Sequence, residues 1–130
     1  MKQQNHKTKR GLLQFVATNY NVNNRGISDR GRCAYQGSKG RCCAIGVQID
    51  LNLRVELDLI GGINDGAFDL LPQRLQSMGY QFLNDIQSLH DIFCNWTDTG
   101  LSTAGKLRVE RICADHDIPI TGKLKEVLNA

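Results

Sequence analysis

The densest group of reactive side chains lies between residues 31 and 46. This stretch contains three cysteines, three cations, four glycines and one tyrosine. Glycines let backbone N–H groups turn toward an anion, and neighbouring cations add charge to such a site. We therefore expect a cradle for an anionic, nucleotide-like ligand, although the spacing is neither that of a Walker loop nor that of a dinucleotide-binding loop. The predicted ligand-binding residues are Arg32, Tyr35, Lys39, Arg41 and Gly46. A glycine-rich hairpin with solvated charges is the alternative.

The cysteines and histidines suggest zinc as a second chemistry. A structural zinc site takes four Cys or His ligands. The predicted ligands are Cys33, Cys43, His90 and Cys94, with Cys42, Cys113 and His116 as substitutes. His90 and Cys94 are four residues apart and would share one face of a helix. The chain has no Cys-x-x-Cys pair, so buried, unreactive thiols without a cofactor are favoured over zinc.

Nucleophilic catalysis is the third chemistry that these residues suggest. Cys43 would be the nucleophile and His90 its base. Residues adjacent on a helix point about 100° apart, so we expect Asp91 to be badly placed to orient the His90 ring. A hydrogen-bonded structural role for His90 is the alternative. Because the set of catalytic groups is incomplete, the sequence favours a protein that is not an enzyme.

The elements that would position these residues are mostly helical. Apolar spacing and caps predict helices over residues 9–20, 80–96, 102–115 and 122–128. Residues 32–35 and 41–45 flank a glycine-rich turn and predict a β-hairpin. Residues 47–60 alternate between apolar and polar, which favours an extended strand. The expected fold class is α+β, mostly helical, with a short β-hairpin packed against about four to five helices.

Length and composition place these elements in one domain. A chain of 130 residues with 41% hydrophobic residues is typical of a single globular domain. We expect a disordered basic tail at 1–8 and one domain over 9–130. No apolar run approaches the roughly 20 residues that span a bilayer, and none near the start resembles a secretory signal. The expected location is the cytoplasm, where thiols stay reduced.

Charge is distributed unevenly along the chain. Residues 1–41 have nine lysines and arginines against one acid, Asp29, whereas residues 42–130 have seven against twelve. A basic third of this kind predicts a surface for an anion, including nucleic acid, or for an acidic protein. The alternative is that the basic third folds back on the acidic part of the same protein.

Two short motifs of the chain stand out. The first is Cys33-Ala34-Tyr35-Gln36-Gly37 followed by Gly40 and by Cys43-Ala44-Ile45-Gly46. The second is Ile86-Gln87-Ser88-Leu89-His90-Asp91. Both resemble motifs of a family of small phage and bacterial proteins without an assigned activity. The chain departs from the family at Cys42 and at Val47-Gln48-Ile49-Asp50, which lacks the usual proline. The resemblance covers residues 11–118 and implies that residues from both motifs meet around one structural or ligand centre: Cys33, Tyr35, Cys43, Gly46, His90 and Asp91.

Together these observations predict a phage-type accessory protein that acts by binding and not by catalysis. Its expected partner is a host protein, such as a defence or nucleic-acid-handling factor, or an anionic nucleotide-like ligand, with no membrane involved. The first alternative is a basic nucleic-acid-binding protein with a zinc site. The second is a Cys–His hydrolase or transferase.

Overall fold

The computed structural model describes residues 2–25, 34–37 and 41–130, apart from the side chain of Asn64. This part of the chain forms mostly helices and one two-stranded antiparallel sheet, which confirms the predicted fold class. The helices are α1 (Lys9–Asn19), α2 (Leu51–Ile60), α3 (Gln73–Gln76), α4 (Tyr80–Asp91), α5 (Thr103–Asp115) and α6 (Gly122–Leu128). The strands are β1 (Trp96–Thr97) and β2 (Gly100–Leu101), with Trp96 opposite Leu101. Short 3₁₀ turns lie at Gly46–Gln48, Ile63–Asp65, Ala67–Leu70 and Phe93–Asn95.

The core lies where α4 packs between α1 and α5, with α6 covering α1. Phe82, Ile86 and Leu89 lie at helical spacing along α4 and are buried. The helix predicted over residues 80–96 is shorter than expected, because α4 ends at Asp91, and the Phe93 side chain beyond it is 65% exposed. The start of α5 is as predicted, because the Ser102 hydroxyl accepts a hydrogen bond from the Gly105 N–H at 3.1 Å.

The prediction of a strand over residues 47–60 is wrong, because residues 51–60 form α2. A local cap starts the helix: the Asp50 carboxylate accepts a hydrogen bond from the Leu53 N–H at 2.9 Å. Gly61 ends the helix with a φ of 118°, a backbone conformation that residues with a Cβ rarely adopt. Arg54 and Leu57, three residues apart, are the buried residues of α2. Capping at both ends therefore overrides the two-residue alternation.

The predicted hairpin around residues 36–40 is also misplaced. Its described parts, 34–37 and 41–45, contain no strand, and residues 32, 33 and 38–40 lie outside the described residues. The Cys43 N–H donates to the Ala34 carbonyl at 3.1 Å, but the Val47 N–H then donates back to the Cys43 carbonyl, as in a helical turn. Residues 42–45 are buried, and the chain coils there into the 3₁₀ turn at Gly46–Gln48. The hairpin that the described residues form is β1–β2.

The N-terminal segment predicted as a disordered tail has no helix or strand over residues 2–7. Hydrogen bonds nevertheless connect it to the domain: the Gln4 N–H donates to the Val47 carbonyl at 2.7 Å, and the His6 N–H donates to Gln48 Oε1 at 2.9 Å. None of the helices among the described residues combines the length and the apolar character that crossing a membrane requires.

Candidate functional site

Five of the six residues implied by the family resemblance lie in one region, which we call the motif cluster: Tyr35, Cys43, Gly46, His90 and Asp91. Tyr35, Cys43 and Asp91 line the same small pocket, of about 150 Å³. A Cβ added to Gly46 would lie 2.1 Å from the Tyr35 carbonyl oxygen, so these two backbones are in close contact. His90 is hydrogen-bonded to Asp91. The sixth residue, Cys33, lies outside the described residues.

Tyr35 is held by hydrogen bonds to the end of α2. Its N–H donates to Asp58 Oδ1 at 2.8 Å, and its hydroxyl donates to the Gly61 carbonyl at 2.9 Å. The Gln36 N–H donates to the other Asp58 oxygen at 3.0 Å. Both carboxylate oxygens of Asp58 are therefore used to hold the loop at residues 34–37 in place.

Arg54 is a buried cation that sequence reasoning did not single out. Its Nε donates to the Gly46 carbonyl at 2.6 Å and to the Ile49 carbonyl at 3.0 Å. Its Nη1 donates to Gln36 Oε1 at 3.1 Å. A buried guanidinium is tolerated when its donors are satisfied in this way. Arg54 thus fixes α2 against the 3₁₀ turn that begins at Gly46.

The structure corrects the expected relation between His90 and Asp91. Asp91 is the last residue of α4, and its Oδ1 is hydrogen-bonded to His90 Nδ1 at 2.8 Å. The Tyr20 ring meets the His90 ring edge-on at 4.9 Å. Arg25 donates to the carbonyl of His90 at 3.2 Å and to that of Asp91 at 2.8 Å. The end of α4 is therefore tied to the N-terminal part of the chain.

The side chains proposed for Cys–His catalysis are enclosed. Cys43 and His90 are both 0% exposed, and the Cys43 sulfur accepts a hydrogen bond from the Gly46 N–H at 3.3 Å. A reactive thiol needs a polarising environment and access for a substrate. Both side chains are buried away from solvent in this structure.

The proposed zinc ligands do not form a metal centre among the described residues. No group of three or more His, Cys, Asp or Glu side chains in that part of the chain is placed to hold a metal ion. Cys94 is exposed, whereas Cys43 and His90 are buried. His116, a proposed substitute, is paired through Nε2 with Asp85 Oδ2 at 2.8 Å. Burial raises the pKa of the other substitutes, the Cys42 and Cys113 thiols, which disfavours the thiolate that zinc requires.

The predicted anion cradle is described only in part. Arg32 and Lys39 lie outside the described residues. Arg41 donates through Nη1 to the Asn23 carbonyl at 2.7 Å. Tyr35 and Gly46 are buried and belong to the motif cluster. The described members of the predicted cradle therefore make contacts within the protein.

A surface that sequence reasoning missed lies on α2. Leu51, Val55 and Leu59 are spaced four residues apart on one side of the helix and are 56%, 52% and 86% exposed. We call these three side chains the α2 face. The alternating pattern contained a signal for it, because five aliphatic side chains at two-residue spacing cannot all point to one side of a helix. With Asp50 as a helix cap, the same pattern predicts a helix that has apolar residues on its outer side as well.

Comparison of the chain with protein-family models, with curated proteins and with solved structures finds no match. The geometry described above therefore provides the basis for a functional proposal. It consists of a motif cluster that is buried apart from Asp91 and an exposed aliphatic face on the neighbouring helix.

Proposed function

We propose that this chain is a non-catalytic accessory protein of the phage type that binds another protein through the α2 face. One observation carries the proposal: α2 has aliphatic side chains on its outer side as well as on its inner side. The helix buries Leu57 together with the charged Arg54, and it exposes three aliphatic side chains. The outer side of an amphipathic helix packed on its own protein is expected to be polar.

The aliphatic side chains that α2 leaves exposed would gain free energy if a partner buried them. Burying an exposed aliphatic side chain gains about 1.5–3 kcal/mol, and single exposed apolar residues are common on proteins. Three aliphatic side chains in a row along one helix make a contiguous patch, which is typical of interaction sites. A partner that covered this patch would therefore gain the free energy of burying these three side chains.

The other functions have weaker support from the described residues. Nucleic-acid binding needs free cations, and Arg10, Arg25 and Arg41 donate to oxygens of Thr121, His90, Asp91 and Asn23 within the chain, whereas Lys2 and Lys7 are exposed. The acceptors of these three arginines are backbone carbonyls and the Thr121 hydroxyl. Anion binding would rest on Arg32 and Lys39. The support for a host factor as the partner is the family resemblance of the motifs.

Affinity purification with surface variants tests the proposal. The tagged wild-type chain, a Val55→Asp/Leu59→Asp variant and a Leu107→Asp variant are used as baits in the same bacterial lysate. Leu107 is a matched control because it is 62% exposed and lies on another helix, α5. We expect a protein that is enriched by the wild type and by Leu107→Asp and lost with the α2 variant. Quantitative mass spectrometry measures the enrichment.

Folding of the baits is checked separately. Substitutions at exposed positions usually change stability by within about 0.5 kcal/mol, so all three chains should unfold at similar temperatures. The proposal would be wrong if folded α2 variants captured the same proteins, in the same amounts, as the wild type.

A further inference from the structure

We infer that the segment of the partner protein that binds the α2 face is an amphipathic helix whose apolar stripe is flanked by lysines or arginines. This inference rests on the proposed function and specifies the chemistry of the partner. It follows from the charge around the α2 face and from the geometry of the face itself.

The α2 face has an acidic border. Between residues 50 and 70 the sequence has five acids and a single cation, Arg54. Asp58 and Glu56 lie on the two flanks of the aliphatic stripe, and Asp50 caps the start of α2. Asp65 lies at the other end of the helix, where it accepts a hydrogen bond from the Gly62 N–H. A partner with cations beside its apolar residues is complementary to this border.

The cation within this segment does not offset the acids at the surface. The Arg54 side chain is buried, and its donors are directed inward to the carbonyls of Gly46 and Ile49. The outward side of α2 therefore presents aliphatic groups and carboxylates. Asp58 also accepts the N–H groups of Tyr35 and Gln36 from the loop at residues 34–37.

The same border argues against a second copy of this chain as the occupant. In a twofold interface the α2 face would meet itself, and Val55 would lie opposite Val55 of the other copy. The acids that flank one stripe would then face identical acids, and like charges across an interface oppose association. A cationic partner turns the same carboxylates into favourable contacts.

The length and spacing of the face fit a helix. Residues 51 to 59 span about 12 Å at 1.5 Å per residue, and their side chains form one row. A partner helix with apolar residues at three- and four-residue spacing can pack along such a row. The two helices would bury the row between them and leave the charged flanks at the rim.

Two synthetic peptides test the inference directly. Both have the same leucine stripe over about four helical turns, and the residues flanking the stripe are lysines in one and glutamates in the other. Binding to the full chain is measured by fluorescence anisotropy at low and at moderate salt. We expect the lysine peptide to bind at least about tenfold more tightly, with the difference shrinking as salt rises.

A charge-reversal variant provides the second arm. Glu56→Lys keeps the aliphatic row and should weaken binding of the lysine peptide severalfold while improving binding of the glutamate peptide. Glu110→Lys changes the net charge equally on α5, where Glu110 is exposed, and should leave both affinities nearly unchanged. Equal responses of these two variants would overturn the inference, because the effect would then reflect net charge alone.

The remaining outcomes separate this inference from the proposed function. If both peptides bind equally and both lose binding to Val55→Asp/Leu59→Asp, the face is a docking surface without charge preference, and only the inference fails. If neither peptide depends on the α2 face, the inference and the proposed function both fail. A dimer that needs Val55 and Leu59 and becomes stronger with salt would identify a second copy as the occupant and would also overturn the inference.

Discussion

At the residue scale, hydrogen bonds and close backbone packing hold the residues of the motif cluster in place. Gly46 is packed against the Tyr35 backbone, donates its N–H to Cys43 and accepts from Arg54 through its carbonyl. Tyr35 in turn is anchored to Asp58 and Gly61. We therefore expect substitutions at these residues to lower the stability of the fold.

Replacing Gly46 by alanine should strongly destabilise the protein. The new Cβ would lie 2.1 Å from a backbone oxygen, which cannot rotate away as a side chain can. We expect a loss of at least about 3 kcal/mol in the free energy of unfolding, the upper range for overpacking. Urea unfolding measures it. Gly11→Ala in α1 is the control, since its Cβ would meet side-chain atoms at 3.0 Å or more, and it should change stability by less than about 1 kcal/mol.

The described cysteines should differ sharply in their reaction with iodoacetamide at neutral pH. Cys94 is exposed, whereas Cys42, Cys43 and Cys113 are buried. Burial also raises the pKa of Cys42 and Cys113, which lowers the fraction of reactive thiolate. Peptide mass spectrometry of the native protein should therefore show Cys94 alkylated first among these four. Preferential labelling of Cys43 would instead support the Cys–His enzyme.

At the element scale, helices with one strong signal were predictable and those with conflicting signals were not. In α4, Phe82, Ile86 and Leu89 recur at helical spacing, and α5 has the Ser102 cap. In α2 the alternating aliphatic residues favour a strand, whereas Asp50 and Gly61 favour a helix that begins and ends at these residues. The two caps determine the outcome. The hairpin at 96–101 was missed because its strands are two residues long, too short to show a pattern.

The candidate site was predictable only where a motif marked it. The motif resemblance named Tyr35, Cys43, Gly46, His90 and Asp91 together, and they share one region of the structure. The side of α2 that is buried depends on the hydrogen bonds from Arg54 to the carbonyls of Gly46 and Ile49. These bonds form only when the helix packs on the rest of the protein. No pattern within residues 51–60 specifies which of its charged side chains is buried.

At the scale of the whole molecule, the uneven charge of the sequence has a structural counterpart. Arginines of the basic N-terminal third reach the rest of the chain: Arg10 donates to Thr121, and Arg25 donates to the carbonyls at the end of α4. The segment 50–70, in contrast, presents carboxylates around an aliphatic row. These arginines thus make contacts within the protein, and the surface around α2 is acidic and apolar.

The most direct test of this account is the solvent exposure of the α2 methyl groups by NMR. Leucine and valine methyl signals are recorded with and without a soluble paramagnetic probe, together with the backbone shifts of residues 51–60. We predict helical shifts and strong broadening of Leu59, which is 86% exposed, beside an unaffected Leu57, which is 0% exposed. Strand-like shifts, or a Leu59 as protected as Leu57, would contradict the exposed aliphatic face of α2 on which the proposed function depends.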